Sequence, residues 1–464
     1  MLKFSNLFTR PHINMFLKNT AQIYLITTIA LLASCNKTDE PYLEITNTSV
    51  YNKSAFTPED NVKFSTYVAN SKENIAKIIN TVRPNLDQSS YLGKYSNLQT
   101  IEMRAPFEVK PTEQSECKGN NQKGFLLVHG LTDSPYLMRS LSKSLNAKYP
   151  CATIRSVLLP GHGSVVGNSL DMTSSDWKKI VKYGINRFKN DNKISDLYLA
   201  GFSTGTTLLI DYMNNNPSNA DNTRDDKVKG LILLSVAVKA KSNFAFLSPF
   251  VARFMDWLST LYERDAARYE SFSFNAGGQF YELTKDMLDP KNALKIPVLM
   301  AISADDDTID AQAARAFFCY AKDTNTNKNV LIWYQSINSK VNAEINADKQ
   351  LNCNNITEVK LDTLQKKYKT LNLAHIAIPV DPADTHYGFD GIYHNCKKYD
   401  TDKKMTEDFK NCQNDDFDYV FSENNVKIPN VYIRRGTFNP DYKNLENKIF
   451  CFVDGNCSLD NTTK

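Results

Sequence analysis

Residues 197–205, Leu-Tyr-Leu-Ala-Gly-Phe-Ser-Thr-Gly, constrain this chain more than any other stretch. An apolar run bounded by glycine reads as a buried strand. It enters Gly201-Phe202-Ser203-Thr204-Gly205, a G-x-S-x-G, and Leu208, Leu209 and Tyr212 then recur at helical spacing. Two residues without Cβ atoms let strand and helix approach closely while the serine between them is strained and lifted off the sheet. In that context Ser203 reads as a nucleophile rather than as part of an ordinary glycine-rich turn.

The rest of the chain supplies a sheet for that strand. Gly124–Val128, ending in His129-Gly130, residues 152–159, Lys229–Ala237 and Ile296–Ser303 are continuous apolar runs. Helical patterns alternate with them: Ser134 fits an N-cap and Pro135 the first helical position, with Leu137, Leu141 and Leu145 as a stripe, and Asp176 to about Phe188 forms another helix. Strands apolar on both faces, alternating with helices, imply a mostly parallel sheet covered on both sides. Eight of the 17 glycines fall between residues 124 and 205, so the tight turns concentrate there. A helix around 60–82, with Ile75, Ile78, Ile79 and Val82 on its apolar face, precedes this core. About sixty residues separate the 230–237 and 297–303 strands, with Phe244, Phe246, Phe250, Phe254, Trp257, Tyr262, Phe272, Phe274, Phe280 and Tyr281 among them. An insertion of that size reads as a helical cap over the carboxyl ends of the strands. Its aromatics are expected mainly to form the cap's own core, with some available to line an acyl-chain pocket.

The N-terminus reads as a targeting segment. Lys3, Arg10 and Lys18 precede the apolar stretch Ala21–Ala33, which is too short to span a bilayer, and Leu32-Ala33-Ser34-Cys35 follows. This is similar to a bacterial lipobox, in which Cys35 carries the lipid and becomes the N-terminus. Met15 is a candidate start, and Asn36 in place of Asp argues against inner-membrane retention. The expected location is a bacterial envelope, lipid-anchored, in the outer membrane. The formal charge is +4, of which the first 34 residues contribute three, so no basic surplus is left for nucleic acid. Besides Cys35, eight cysteines remain, an even number in an exported chain. Neighbour spacing suggests the pairs 117–151, 319–353, 396–412 and 451–457, although sequence leaves the connectivity open. No C-x-x-C occurs, and no metal site is expected.

A serine hydroxyl needs a base within hydrogen-bond reach, and that base needs an acid to orient it. The strand ending at Ser303 runs into Asp305-Asp306-Asp307, and spacing leaves open which of the three points inward. His129 and His162 precede the nucleophile in tight glycine-flanked turns and read as structural. His375, in Leu373–Pro379, is favoured as base over His386 and His394, which lie among Asp, Gly and Tyr and read as surface-loop residues. Two backbone N–H groups are needed for the oxyanion: Thr204 after the nucleophile, and Leu131 in the loop after His129-Gly130.

With these residues assembled, the chain resembles the α/β-hydrolase superfamily, and within it the carboxylesterase, monoacylglycerol lipase and lysophospholipase branch. His129-Gly-Leu-Thr-Asp-Ser-Pro135, Pro160-Gly-His-Gly163, Gly201–Gly205 and Arg435-Gly-Thr-Phe-Asn-Pro440 before a closing helix carry the resemblance, over roughly 105–450. It implies an α/β-hydrolase fold with an inserted helical cap. It implies catalytic Ser203, Asp306 and His375, with Asp306 selected because Ser303 and Ile309 match the family positions three residues either side. Leu131 and Thr204 would form the oxyanion hole. It implies hydrolysis of a carboxylic ester of an acyl or lipid substrate, without metal or organic cofactor, at a membrane reached through the Cys35 anchor. A thioesterase or peptidase using the same triad, or an inactive surface-binding module, are the alternatives. The organisation expected is a signal peptide at 1–34, a tether and extension at 35–95, core at 96–238, cap at 239–295, and core with C-terminal helix at 296–464. The 69 residues from Asp306 to His375 exceed the branch's usual spacing, and the extra length, about 336–360, reads as an insertion pinned through Cys353.

Overall fold

A computed structural model of the chain describes residues 50, 57–82, 94–112, 117, 122–216, 227–261, 263–289, 294–320, 329–336, 353, 355–361, 366–399, 406–423 and 426–456. The expected signal peptide and Cys35 lie outside these residues, as do Tyr262 and Cys457.

Helix α1 (Phe64–Val82) and α2 (Asn97–Arg104) open the described chain, followed by β1 (Phe107–Val109), β2 (Gln122–Val128), α3 (Arg139–Lys148), β3 (Thr153–Val157), α4 (Ser174–Lys189), β4 (Ile194–Phe202), α5 (Thr204–Asn215) and β5 (Val228–Leu234). Next come α6 (Ser248–Val251), β6 (Trp257–Ser259), β7 (Phe272–Ser273), α7 (Phe274–Thr284), β8 (Val298–Ser303), α8 (Ala311–Tyr320), β9 (Val330–Gln335) and β10 (Ile356–Lys360). The last part contains α9 (Glu407–Gln413), β11 (Tyr419–Phe421), β12 (Tyr432–Arg434) and α10 (Tyr442–Asp454).

Eight strands form one sheet in the order β1-β3-β2-β4-β5-β8-β9-β10. Only β1 runs antiparallel to its neighbour. Alternate side chains of a strand point to opposite faces, and the core divides accordingly. Leu126, Leu199, Leu231, Leu233 and Met300 pack with α1, α4, α5 and α8 on one face. Phe125, Ala200, Phe202, Ile232 and Leu299 pack with α3 and α10 on the other. The chain therefore has the mostly parallel, doubly covered sheet that its strand–helix alternation implies, and the α/β-hydrolase fold that the resemblance implies.

Three features differ from the sequence expectation. β10 lies within the stretch read as an insertion: it adds a parallel edge strand to β9 through the register Ile356↔Leu331 to Lys360↔Gln335. Its half-exposed, alternating Ile-Thr-Glu-Val-Lys is too polar to stand out as a buried strand. The excursion between β5 and β8 carries a two-stranded β6–β7 ribbon beside its helices. Of its aromatics, Phe274 and Phe280 are buried, but Phe244, Phe246, Phe250 and Phe254 are exposed, so four of the nine described aromatics of the expected cap core face outward.

Among the described residues three of the suggested disulfides form, Cys117–Cys151, Cys319–Cys353 and Cys396–Cys412, while the suggested pair 451–457 reaches outside them. Ile75, Ile78 and Ile79 of α1 are buried against Ile101, Leu158 and Val165. Arg104, at the end of α2, is fully buried, and its guanidinium donates to the carbonyls of Ser164, Asp265 and Ala266. It ties the N-terminal helices to the β5–β8 excursion.

Candidate active site

The carboxyl ends of β2, β4, β5 and β8 meet in the middle of the sheet. At the end of β4, Ser203 stands at φ 51°, ψ −121°, a conformation that side-chain-bearing residues rarely adopt. The two glycines around it are obligatory. A Cβ on Gly205 would lie 2.2 Å from the Val128 carbonyl oxygen, and one on Gly201 would lie 2.7 Å from the backbone of Gly205 and Thr206. The serine N–H donates to the Leu234 carbonyl at 3.0 Å, which pins the turn to β5.

Three side chains distant in sequence converge here. The Ser203 hydroxyl lies 2.8 Å from His375 Nε2, and His375 Nδ1 lies 2.6 Å from Asp306 Oδ2. A carboxylate facing Nδ1 assigns the ring proton to that nitrogen and leaves Nε2 to accept from the serine. The other Asp306 oxygen accepts the N–H groups of Thr308 and Ile309 at 2.8 and 3.0 Å. The Asp305 carboxylate instead turns away to the Ser336 N–H, and Asp307 is exposed. All three converging residues are buried, Ser203 at 7% exposure, His375 at 6% and Asp306 at 1%.

Two serines, Ser235, which the sequence reading did not single out, and Ser303, which it used only to place the acid, hold the histidine segment. The Ser235 hydroxyl, past β5, donates to the His375 carbonyl at 2.7 Å, and the Ser303 hydroxyl, ending β8, donates to the Leu373 carbonyl at 2.6 Å. Glu423 lies 3.4 Å from the His375 N–H and is gripped by Arg435 through two nitrogens. Burial works to raise the Glu423 pKa, but Arg435 outweighs it and holds the carboxyl below its ordinary value. A lone serine or glutamate in a loop carries no periodic signal, and only the Arg435 motif hinted at this support.

His129 and His162 are structural, as their turns suggest. His129 Nε2 accepts the Leu159 N–H at 3.0 Å, so its Nδ1 donates to the Gly130 carbonyl at 2.8 Å. His162 Nε2 accepts the Thr132 N–H at 3.1 Å. Burial pushes both imidazoles down, His162 to about 4, so both stay neutral and able to accept. Between them they clamp loop 129–134. Because a trans peptide opposes its C=O and N–H, tying the Gly130 carbonyl to His129 sets the opposite direction for the Leu131 N–H. Thr204 is the first residue of α5, where helix geometry leaves the N–H without an intrahelical acceptor.

His386 departs from expectation. It is fully buried rather than on a surface loop: Nε2 lies 2.9 Å from Asp265 Oδ1, and Nδ1 lies 2.9 Å from the Tyr95 hydroxyl. Its polar neighbours suggested solvent, whereas they are its partners. His394 is half-buried, with Nδ1 3.2 Å from the Gln413 carbonyl. A cavity of about 470 Å³ beside Tyr368, Phe389 and Lys443 contains none of the three converging side chains.

Residues 120–334 match the family model of serine aminopeptidase, S33. No curated protein sequence matches. Among solved structures, the chain is similar to a metagenome-derived lipolytic enzyme, 17% identical over 49% of this chain and 86% of that one, TM-score 0.38. It is similar to a monoacylglycerol lipase from Paleococcus ferrophilus, 20% identical over 50% and 88%, TM-score 0.38. It is also similar to Est1E from Butyrivibrio proteoclasticus with ferulic acid bound, 20% identical over 52% and 90%, TM-score 0.34.

Proposed function

We propose that this chain, with its α/β-hydrolase fold, cleaves carboxylic esters with Ser203 as nucleophile, His375 as general base and acid, and Asp306 as the orienting carboxylate. The observation that carries this reading is the unbroken line from the Ser203 hydroxyl through His375 to Asp306, at 2.8 and 2.6 Å. As Ser203 Oγ bonds to the carbonyl carbon, its proton passes to His375 Nε2. The carbonyl oxygen takes up the negative charge and receives the Leu131 and Thr204 N–H groups. Collapse breaks the bond to the leaving oxygen, which receives the proton from Nε2, and leaves the acyl group on Ser203. Water then gives a proton to Nε2 and attacks the acyl carbon. The second collapse releases the acid and returns the proton to Ser203. Asp306 stays ionised throughout and holds Nδ1–H in place.

An acyl or lipid ester is the proposed substrate class. With Cys35 lipidated, the enzyme would work from a bacterial outer membrane, and loss of palmitate incorporation in Cys35→Ser would test that part. For the chemistry, the purified protein is treated with a fluorophosphonate probe and assayed on p-nitrophenyl esters of rising acyl length. Labelling and turnover that vanish in Ser203→Ala support the reading, whereas labelling that survives in the mutant removes Ser203 from its role.

A further inference from the structure

Asp133 belongs to the His129–Pro135 motif, yet none of the steps above uses it. Its carboxylate is beside the nucleophile: a Cβ built on Gly130 would meet Asp133 Oδ2 at 2.6 Å and Ser203 Cβ at 2.9 Å. The residue is 4% exposed. Among the described residues, no hydrogen-bond donor reaches either carboxylate oxygen. Arg268 forms an ion pair with Oδ1 at 3.7 Å, but its hydrogen bonds go to the Tyr269 carbonyl and the Thr132 hydroxyl. A buried carboxylate is ordinarily satisfied by two or more donors, and leaving one without them is costly. Burial accordingly pushes Asp133 up to about 6, against the opposing pull of Arg268 and His375. Violations of this kind collect where a ligand completes the set.

We propose that Asp133, steadied by Arg268, is a specificity-determining acceptor for a hydrogen-bond-donating substituent, hydroxyl or ammonium, on the carbon next to the scissile carbonyl of the acyl group. The position follows from the loops. The leaving oxygen must face His375 Nε2 to be protonated. Asp133 instead projects from the Gly130–Leu131 loop, which flanks the carbonyl oxygen. In the acyl-enzyme, a substituent on the carbon beside the carbonyl is three bonds from Ser203 Oγ, within reach of a carboxylate this close to Ser203 Cβ. An apolar branch at that place would leave the carboxylate with Arg268 at 3.7 Å and no hydrogen-bond donor; an O–H or N–H would supply one. This inference rests on the serine-hydrolase reading.

The test uses three benzyl esters of one shape, with 2-amino-, 2-hydroxy- and 2-methylpropionyl groups. Their kcat/KM values on the full protein are each normalised to the ester's rate of alkaline hydrolysis. The expected result is at least a tenfold preference for the amino or hydroxy ester over the methyl ester, with the preference collapsing in Asp133→Asn. Preference for both donors marks a general hydrogen-bond acceptor, and preference for the amino ester alone marks a charge-reading site; either supports the proposal. A methyl ester turned over as well as the others, or a preference unchanged in Asp133→Asn, overturns it. So does an enzyme whose Ser203 is labelled by a fluorophosphonate but which hydrolyses none of the three. Absence of Ser203 labelling would instead sink the serine-hydrolase reading and the subsite with it. The wild-type ratios decide the matter even where the variant fails to fold.

Discussion

Asp306 Oδ2 and His375 Nδ1 are 2.6 Å apart although 69 residues separate them in the chain, and the neighbouring carboxylates of Asp305 and Asp307 make no such contact. Asparagine at 306 would offer an amide in place of the carboxylate and favour the wrong imidazole tautomer. Asp306→Asn is expected to lower kcat on a p-nitrophenyl ester by about 10³–10⁴-fold. Asp305→Asn and Asp307→Asn should remain within a few-fold of wild type. A large loss at 305 or 307 with none at 306 would reassign the acid.

The Gly205 position leaves no room for a methyl group, because the obstacle is the backbone oxygen of Val128 at 2.2 Å rather than a movable side chain. Gly205→Ala is expected to cost about 3 kcal/mol or more in urea unfolding, at the upper end of overpacking penalties. Gly436→Ala is the contrast: a Cβ there meets nothing closer than 3.6 Å, and stability should change by less than about 0.5 kcal/mol.

Asp133 makes a prediction in pH. Burial raises its pKa to about 6, against the pull of Arg268, His375 and Arg435 and with Asp265 adding to the rise. A carboxyl raised on folding binds its proton more tightly in the native state. Its penalty is therefore absent well below the unfolded value of about 4, grows as pH rises, and is complete above about 6. Asp133→Asn should be more stable than wild type at pH 8, by on the order of 1–3 kcal/mol, with the two converging near pH 4. Thermal melts across pH 4–8 measure this. A variant less stable than wild type at pH 8 would mean that Asp133 has a structural role.

Cys319–Cys353 joins α8 to the residue region just before β10 and closes 34 residues of chain. Its replacement by two serines should lower stability by about 3–4 kcal/mol on the chain-entropy estimate. The edge strand should be the part that loosens, seen as faster amide exchange in 356–360 than in the central strand 197–202. Equal exchange in both would show that β10 is held by its pairing with β9 alone.

The buried pair of His386 and Asp265 gives a fifth expectation. His386→Ala removes a partner 2.9 Å from a fully buried carboxylate, leaving Asp265 with the Tyr387 hydroxyl and the Ala267 N–H. A loss of about 3–5 kcal/mol is expected, against a small change for half-buried His394→Ala. Equal melting temperatures for the two variants would return His386 to the surface-like role its sequence context suggested.

The strand–turn–helix at 197–215 and the alternation of buried strands with helices were legible because they arise from neighbours in the chain. Glycine where backbones touch, and apolar runs where both faces of a strand are covered, leave a mark within ten residues. The place of Ser203 at the apex of that turn was readable for the same reason. β10 was not, because a half-exposed edge strand mixes Glu and Lys with Ile and Val as a loop does. The roles of His375 and His386 were harder still. Both lie in loop-like segments after β10, and both end up buried beside an aspartate.

The amino-acid sequence alone therefore determined the central parallel strands, the sharp turn at Ser203 and a short list of acids and imidazoles, since each depends on local dihedral and burial preferences. Which imidazole meets the serine, which of three adjacent aspartates turns inward, and that Asp133 is left beside Ser203 without a donor were decided by tertiary structure. Those outcomes depend on how segments dozens of residues apart pack against β5, β8 and the 129–134 loop, and no local pattern encodes a contact whose partner lies that far along the chain.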